Sequence, residues 1–224
     1  MILVETNSQR NWKAANEAGL FDEEMAPIEL ESRKGTQIFN TDEHPRPEVT
    51  LEKLEKLRPV FKKDGVVTAA NASGICDGAG AIILASEEAV KVHNLKPLAR
   101  IVSYGITGCD PKIMGIGPVS AIQQVLSRAS LTIDDMDRIE INEAFAAQFL
   151  ACATELGLDM DKTNVNGGAI SLGHPTGASG KPLLFWLLSF LTNIDWSGAH
   201  AVFYDSTIIN TRSPDSCSSG KRFS

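Results

Sequence analysis

A histidine held between a glycine and a proline, His174 in Gly173-His174-Pro175, is the residue of this sequence best placed to do chemistry. The proline stiffens the chain beside it and so fixes the direction of the imidazole. An imidazole titrates near neutral pH and is the usual general base there, although a satisfied structural histidine fits the same residues. Around it, residues 164–180 read NVNGGAISLGHPTGASG, with five glycines in seventeen positions. Small residues at that density let the backbone approach a ligand or another backbone closely. Asn142 is the second candidate. It ends the apolar run Ile139-Glu140-Ile141 and precedes Glu143, Ala144 and Phe145, which begin a helical pattern. At the carboxyl end of a strand its amide would face the ligand crevice and could orient a water or a carbonyl. The plainer reading of Asn142 is a helix N-cap, and the two roles are compatible. A third loop of small residues, TAANASGICDGAG at 68–80, suits close approach to a ligand. Within it Asn71-Ala72-Ser73 matches a glycosylation acceptor, read as accidental in the absence of a secretory signal. Cys76 reads as buried and inert, and Met114 as a core residue.

Several chemistries fail on the residues. In the glycine-rich stretch a phosphate loop would need a Ser or Thr after its lysine to hold magnesium, and Pro182 stands there. The run GIGPVS at 115–120 lacks the third glycine of a dinucleotide fingerprint. The four cysteines, Cys76, Cys109, Cys152 and Cys217, form no CxxC or His-Cys spacing, which argues against zinc and against a disulfide scaffold. No metal ligand set is expected. With 21 Lys+Arg against 28 Asp+Glu the net charge is −7, which disfavours nucleic acid and acidic membrane surfaces as partners. The most apolar stretch, PLLFWLLSFL at 182–191, is about half of the ~20 residues a membrane span requires and reads as a buried helix or strand.

The elements that must position these residues follow from the pattern. Hydrophobic residues at 43% and charged residues at 22% place the chain in the globular class. A helix is expected over 8–18, ending at Gly19. Residues 25–63 form a proline-punctuated excursion with strands and a short helix at 51–57. From residue 65 strand candidates at 79–85, 99–106, 137–142 and 199–204 alternate with helices at 87–92, 119–129 and 144–156, an α/β pattern whose default is a Rossmann-like layered sheet. The Ser-rich end, polar and aperiodic, reads as a disordered tail from 207 to 224.

Four motifs in one order carry a more specific likeness: TAANASGICDGAGA, DPKIMGIGP, NEAFAAQ and NVNGGAISLGHPTGASG. Together with QRNWKAANEAGLFDEEMAPIEL and VFKKDG, they make residues 8–180 resemble the later part of the thiolases, nearest to their mitochondrial 3-ketoacyl-CoA branch. The resemblance implies an incomplete thiolase-like layered α/β fold. Residues 1–64 would be the remainder of a loop domain, 65–95 the end of the N-terminal unit, and 96–206 a C-terminal unit that diverges after 180. It implies an acyltransferase that cleaves 3-ketoacyl-CoA into acetyl-CoA and a shortened acyl-CoA in fatty-acid oxidation, with coenzyme A as substrate and no prosthetic group. His174 would activate the nucleophilic thiol and hold the thioester oxygen, and Asn142 would fix the water completing the oxyanion hole. Ser73 and Ala69 would lie along the pantetheine arm, Met114 and Phe145 would line its tunnel, and Arg46 would meet the phosphates. A mitochondrial location and a homo-oligomer are implied by the family alone.

The sequence also departs from that family. The unit bearing the acylated cysteine is not among these residues, and no C-x-G-G-G loop supplies the second thiol. Cys217, in PDSCSSG, cannot substitute for it. The 224 residues alone are therefore expected to be inactive. The alternative is a non-catalytic truncated product that binds CoA or pairs with full-length subunits.

Overall fold

The computed structural model describes residues 1–23, 25–79, 81–179, 200–204 and 206–210. Helix α1 (Ile2–Glu17) starts earlier than its composition suggested and buries Val4, Ser8, Trp12 and Ala15. Those positions are spaced three or four apart and so lie on one face. It stops where Gly19 takes a left-handed φ of 70°. The excursion then forms a hairpin of β1 (Ile28–Ser32) and β2 (Gly35–Phe39), exposed along its length, and the short helix α2 (Leu51–Glu55). Helix α3 (Glu87–Val92) is N-capped by the Ser86 hydroxyl, which accepts from the Ala89 N–H.

The main sheet has four strands in the order β3 (Arg100–Tyr104), β5 (His200–Tyr204), β6 (Ser206–Asn210) and β4 (Arg138–Ile141). β3 and β5 are parallel, whereas β5–β6 and β6–β4 are antiparallel. The sheet is thus mixed rather than Rossmann-like. β6 also occupies residues 206–210, where a disordered tail from 207 was expected. The expected apolar element at 182–191, the remaining tail at 211–224 and Cys217 lie outside the described residues.

Helices α4 (Gly117–Ala129) and α5 (Ala146–Leu156) pack with the sheet to close the principal core. Ile122 and Val125 from α4, Ile139 and Ile141 from β4, and Phe149 from α5 are its best-buried members, with Met136 and Ile170 beside them. Full burial of each side chain contributes roughly 1.5–3 kcal/mol, which anchors β4 and α5, the two elements that flank Asn142. One expected strand does not form. Residues 81–86 belong to no strand, with Ile83 93% exposed and Leu84 69% exposed. A strand needs a neighbour to complete its ladder, and none of the described residues runs beside this one.

Glu140 is buried in the core strand β4, and among the described residues its Oε2 has no hydrogen-bond partner. Burial, reinforced by the nearby Glu143 charge, pushes its carboxyl well above the usual range, against a smaller pull from Arg138. The folded state therefore holds a proton that the unfolded chain gives up near pH 4.5. Stability associated with Glu140 is intact below that pH and falls as pH rises towards the folded value, by about 1.4 kcal/mol per unit. Glu140→Gln, which cannot ionise, is expected to match the parent in acid and to be the more stable protein at neutral pH in urea unfolding. Parallel pH profiles for the two proteins would contradict this.

Candidate active site

The site is assembled where three irregular segments meet at the end of β4. The first is the turn after β4. Asn142 lies on it, half-buried, and α5 begins only at Ala146, so Asn142 is not the N-cap. That helix end is served instead by Gln148, whose side-chain oxygen accepts from the Phe145 N–H at 3.4 Å. The second is the loop at 71–75. Asn71 O accepts from Ala146 N–H (2.9 Å), Ala72 bridges to Phe145, and Ser73 donates from both N–H and Oγ to Ala144 O (3.0 and 3.2 Å). The third is the glycine-rich stretch. Its short helix α6 (Ala169–Leu172) ends at Gly173 with φ 95°, and the His174 N–H then donates to Gly74 O at 2.8 Å. A bridge between Ile75 and His174 continues that contact. The loop at 71–75 thereby ties the Asn142 turn to the His174 loop.

The two candidate catalytic residues meet. Asn142 Nδ2 lies 3.3 Å from His174 Nε2, and the other ring nitrogen, Nδ1, contacts the hydroxyl of the buried Ser179. Ser179 in turn donates to Pro175 O at 3.2 Å. An imidazole and an amide side by side at a half-open position can deprotonate a thiol and then donate to a developing oxyanion.

A buried polar network supports this pair from behind. Glu143 accepts from Ser8 Oγ (2.7 Å), Asn164 Nδ2 (2.9 Å) and Ile170 N–H (3.3 Å). Its burial raises the carboxyl above the usual range, opposed by the bonds from Asn164 and Ser8. Asn164 also bonds both Ile141 N–H and Ile141 O at 2.9 Å, so its side chain imitates one more rung of sheet beside β4. Asn164 makes that reach with a left-handed φ of 49°. Through Ser8, the network joins α1 to the turn that carries Asn142. Gly168 N–H donates to the same Ser8 hydroxyl at 3.0 Å.

The remaining sequence candidates divide. Ser73 and Phe145 sit on the paired segments at the site. Met114 lies in a 3₁₀ turn (Pro111–Ile116) and is 68% exposed, which overturns its reading as a core residue. That turn is held against α5 by the Cys152 thiol, which donates to Gly115 O at 3.2 Å. Ala69 is exposed, on the turn that leads into Asn71. Arg46 is exposed too, but its Nη1 is spent on the carbonyls of its own turn, Glu43, His44 (2.8 Å) and Pro45 (2.8 Å). Its neighbour His44 reaches the site instead, accepting from Gly74 N–H at 3.1 Å. Burial and the Arg46 charge hold the His44 imidazole below its ordinary value. Asn71 is buried, its amide bonded to Thr68 N–H and Val66 O (2.8 Å each), and it has no room for a glycan. Cys76 is only half-buried, beside Gly173, and burial raises its thiol. Among the described residues no cluster of His, Cys, Asp and Glu suits a metal ion, and no helix is long and apolar enough to cross a membrane.

Sequence reading missed Ser179, His44, Ser8 and the Glu143–Asn164 pair. Ser179 lay within the glycine-rich motif, five residues after the histidine, while the others are joined only by the tertiary fold.

Residues 4–88 match the family model described as "Thiolase, N-terminal domain" and 95–203 that described as "Thiolase, C-terminal domain". The chain belongs to the thiolase family, and its fold is the layered α/β fold of that family. It is 65% identical to human mitochondrial 3-ketoacyl-CoA thiolase over 173 residues, which is 77% of this chain and 44% of the relative. Against an acetyl-CoA acetyltransferase of Chromobacterium violaceum it is 54% identical over 182 residues, 81% of this chain and 46% of the relative. The crystal structure of the human mitochondrial 3-ketoacyl-CoA thiolase superposes with a TM-score of 0.85 at 53% identity, covering 94% of this chain and 55% of that one. The same human enzyme in complex with CoA superposes at 0.83, over 94% of this chain and 54% of that one. The chain thus spans about half the length of the relatives it matches.

Proposed function

We propose that these residues form the oxyanion-binding part of an acyltransferase that cleaves 3-ketoacyl-CoA, with CoA as acceptor thiol, in the oxidation of fatty acids in mitochondria. The observation that carries this reading is the meeting of His174 and Asn142, 3.3 Å apart, beside the paired segments that bear Ser73 and Phe145. In such a reaction a nucleophilic thiol attacks the 3-keto carbon, the C2–C3 bond breaks, and acetyl-CoA leaves. The thiol of a second CoA then releases the shortened acyl group. His174 accepts the attacking thiol's proton and, so charged, donates to the oxygen on which negative charge collects. Asn142 orients the water that shares that oxygen. The backbone of Ala69 and Ser73 follows the pantetheine arm, Met114 and Phe145 wall it, and Arg46 approaches the phosphates with the guanidinium edge its own turn leaves over.

Neither required cysteine is supplied by these residues. Cys76 and Cys152 carry raised thiols, Cys76 bonds only the backbone of His174, and the ring nitrogens of His174 are engaged by Asn142 and Ser179. The chain by itself therefore binds without turning over. A second reading, association with a complementary thiolase polypeptide, is favoured by the consecutive exposed apolar side chains Ile82, Ile83 and Leu84, an apolar surface that invites burial. Binding of CoA to these 224 residues tests the proposal: saturable binding that weakens about tenfold in Phe145→Ala supports it, and its absence in a cooperatively folded protein rejects it.

A further inference from the structure

The ring of His174 is held at both nitrogens, and the chemistry of its two partners decides where its proton sits. On one side the contact is the Asn142 amide nitrogen, 3.3 Å from Nε2. An amide NH₂ has donors and no acceptor, so Nε2 must offer its lone pair. A neutral imidazole with an accepting Nε2 carries its proton on Nδ1. On the far side Nδ1 contacts Ser179 Oγ. That hydroxyl uses its own hydrogen on Pro175 O at 3.2 Å and so presents lone pairs to the ring. The two ends agree. Protons run in one direction, from Asn142 to Nε2 and from Nδ1 to Ser179 and on to the Pro175 carbonyl.

From this geometry we infer that Ser179 is a positioning residue that selects the Nδ1–H tautomer of His174 and leaves Nε2, on the Asn142 side, as the base. The inference deepens the proposed function, because a base that must accept a thiol proton at Nε2 works only in that tautomer. Ser179 suits the task for three reasons. It is 6% exposed, so water does not compete for Nδ1. It lies on the same backbone turn as the histidine, Ser179 N–H donating to Pro175 O at 2.9 Å, so the distance between hydroxyl and ring is set locally. And its rotor is tethered, since rotating away from the ring would forfeit the Pro175 bond. Alanine would leave Nδ1–H without its acceptor, a loss the ring can avoid by moving its proton to Nε2. In the moved form Nε2 faces the Asn142 NH₂ donor to donor, and the pair is lost as a base.

The test is long-range ¹H–¹⁵N correlation of the ¹⁵N-labelled 224-residue chain at a pH where the imidazole is neutral, with His174 assigned by the signal missing in His174→Gln. The expected result is a pyrrole-type Nδ1 and a pyridine-type Nε2. In Ser179→Ala the Nδ1–H signature is expected to be lost in favour of Nε2–H, and Ser179→Thr, which keeps the hydroxyl, is expected to restore it. A pyridine-type Nδ1 in the parent protein overturns the inference without any variant. Retention of the Nδ1–H form in Ser179→Ala, with only the melting temperature lowered, also overturns it, by assigning Ser179 a structural part alone. These readouts need neither CoA nor turnover. A failed CoA titration with the expected tautomer would count against the proposed function, and the opposite pair of results against the role of Ser179.

Discussion

Purified as these 224 residues, the chain is expected to leave acetoacetyl-CoA and free CoA unreacted. Covalent acyl transfer needs a thiol at the mouth of the His174–Asn142 pair, and the described sulfurs are elsewhere. The Cys152 thiol is buried and bonded to Gly115 O. Cys109 is exposed, with its sulfur turned to Met114 O at 3.8 Å. Cys76 is nearest, but burial keeps its thiol protonated, and a thiol is a far weaker nucleophile than a thiolate. Loss of the nucleophile from a concerted catalytic group costs on the order of 10⁶ in rate, and what survives is oxyanion stabilisation and binding. Acetyl-CoA release should therefore remain at the uncatalysed level in an assay that follows its formation. Sustained release that disappears in His174→Ala would overturn this expectation, by showing that a cysteine of this chain has taken the nucleophile's place.

Gly168→Ala is expected to unfold the site at a cost of about 3 kcal/mol or more, the second large effect. The reason is space rather than backbone conformation, since Gly168 has an extended φ of −139°. A methyl group there would lie 2.2 Å from the carboxyl carbon of Glu143 and 2.4 and 2.5 Å from its oxygens. That carboxylate cannot retreat, because Ser8, Asn164 and the Ile170 N–H hold it. Overpacking of a filled site costs about 1–3 kcal/mol, and each buried hydrogen bond broken adds about 1–3 more. Gly177→Ala, in the same motif, is the matched control. A methyl group at Gly177 meets nothing within 4 Å, and its stability should stay within about 0.5 kcal/mol of the parent. Equal losses for the two variants in urea unfolding would mean that the Glu143 network does not anchor the loop.

Much of the scaffold was legible before any coordinates because its signals are local. Gly19 and Gly157 ended their helices where small residues with left-handed φ were expected, and the apolar run 138–141 became β4. His174 and Asn142 each stood out singly from their local motifs, whereas their pairing was implied only by the family resemblance. The misses share one cause, dependence on distant neighbours. The apolar run at 79–85 has strand composition, yet what makes a strand is a partner, and among the described residues it has none. That the Arg46 guanidinium bonds three carbonyls of its own turn is likewise set by the local fold and carries no sequence signal. Asn142 looked like a cap, and the Gln148 side chain, one turn along, took that place. Ser8 and Glu143 are 135 positions apart, and nothing in either stretch announces the other.

Thermal unfolding of the 224-residue chain in rising concentrations of acetyl-CoA tests the thiolase reading of the site most directly. A ligand that binds the native state alone must stabilise it by mass action, by about 2.7 kcal/mol at a hundred times its dissociation constant. The expected result is one cooperative transition whose midpoint rises and follows this saturation law, with a weaker response in Phe145→Ala. A cooperative transition whose midpoint acetyl-CoA and CoA both leave unmoved would contradict it, because the His174–Asn142 site would then be a folded relic that takes up no thioester.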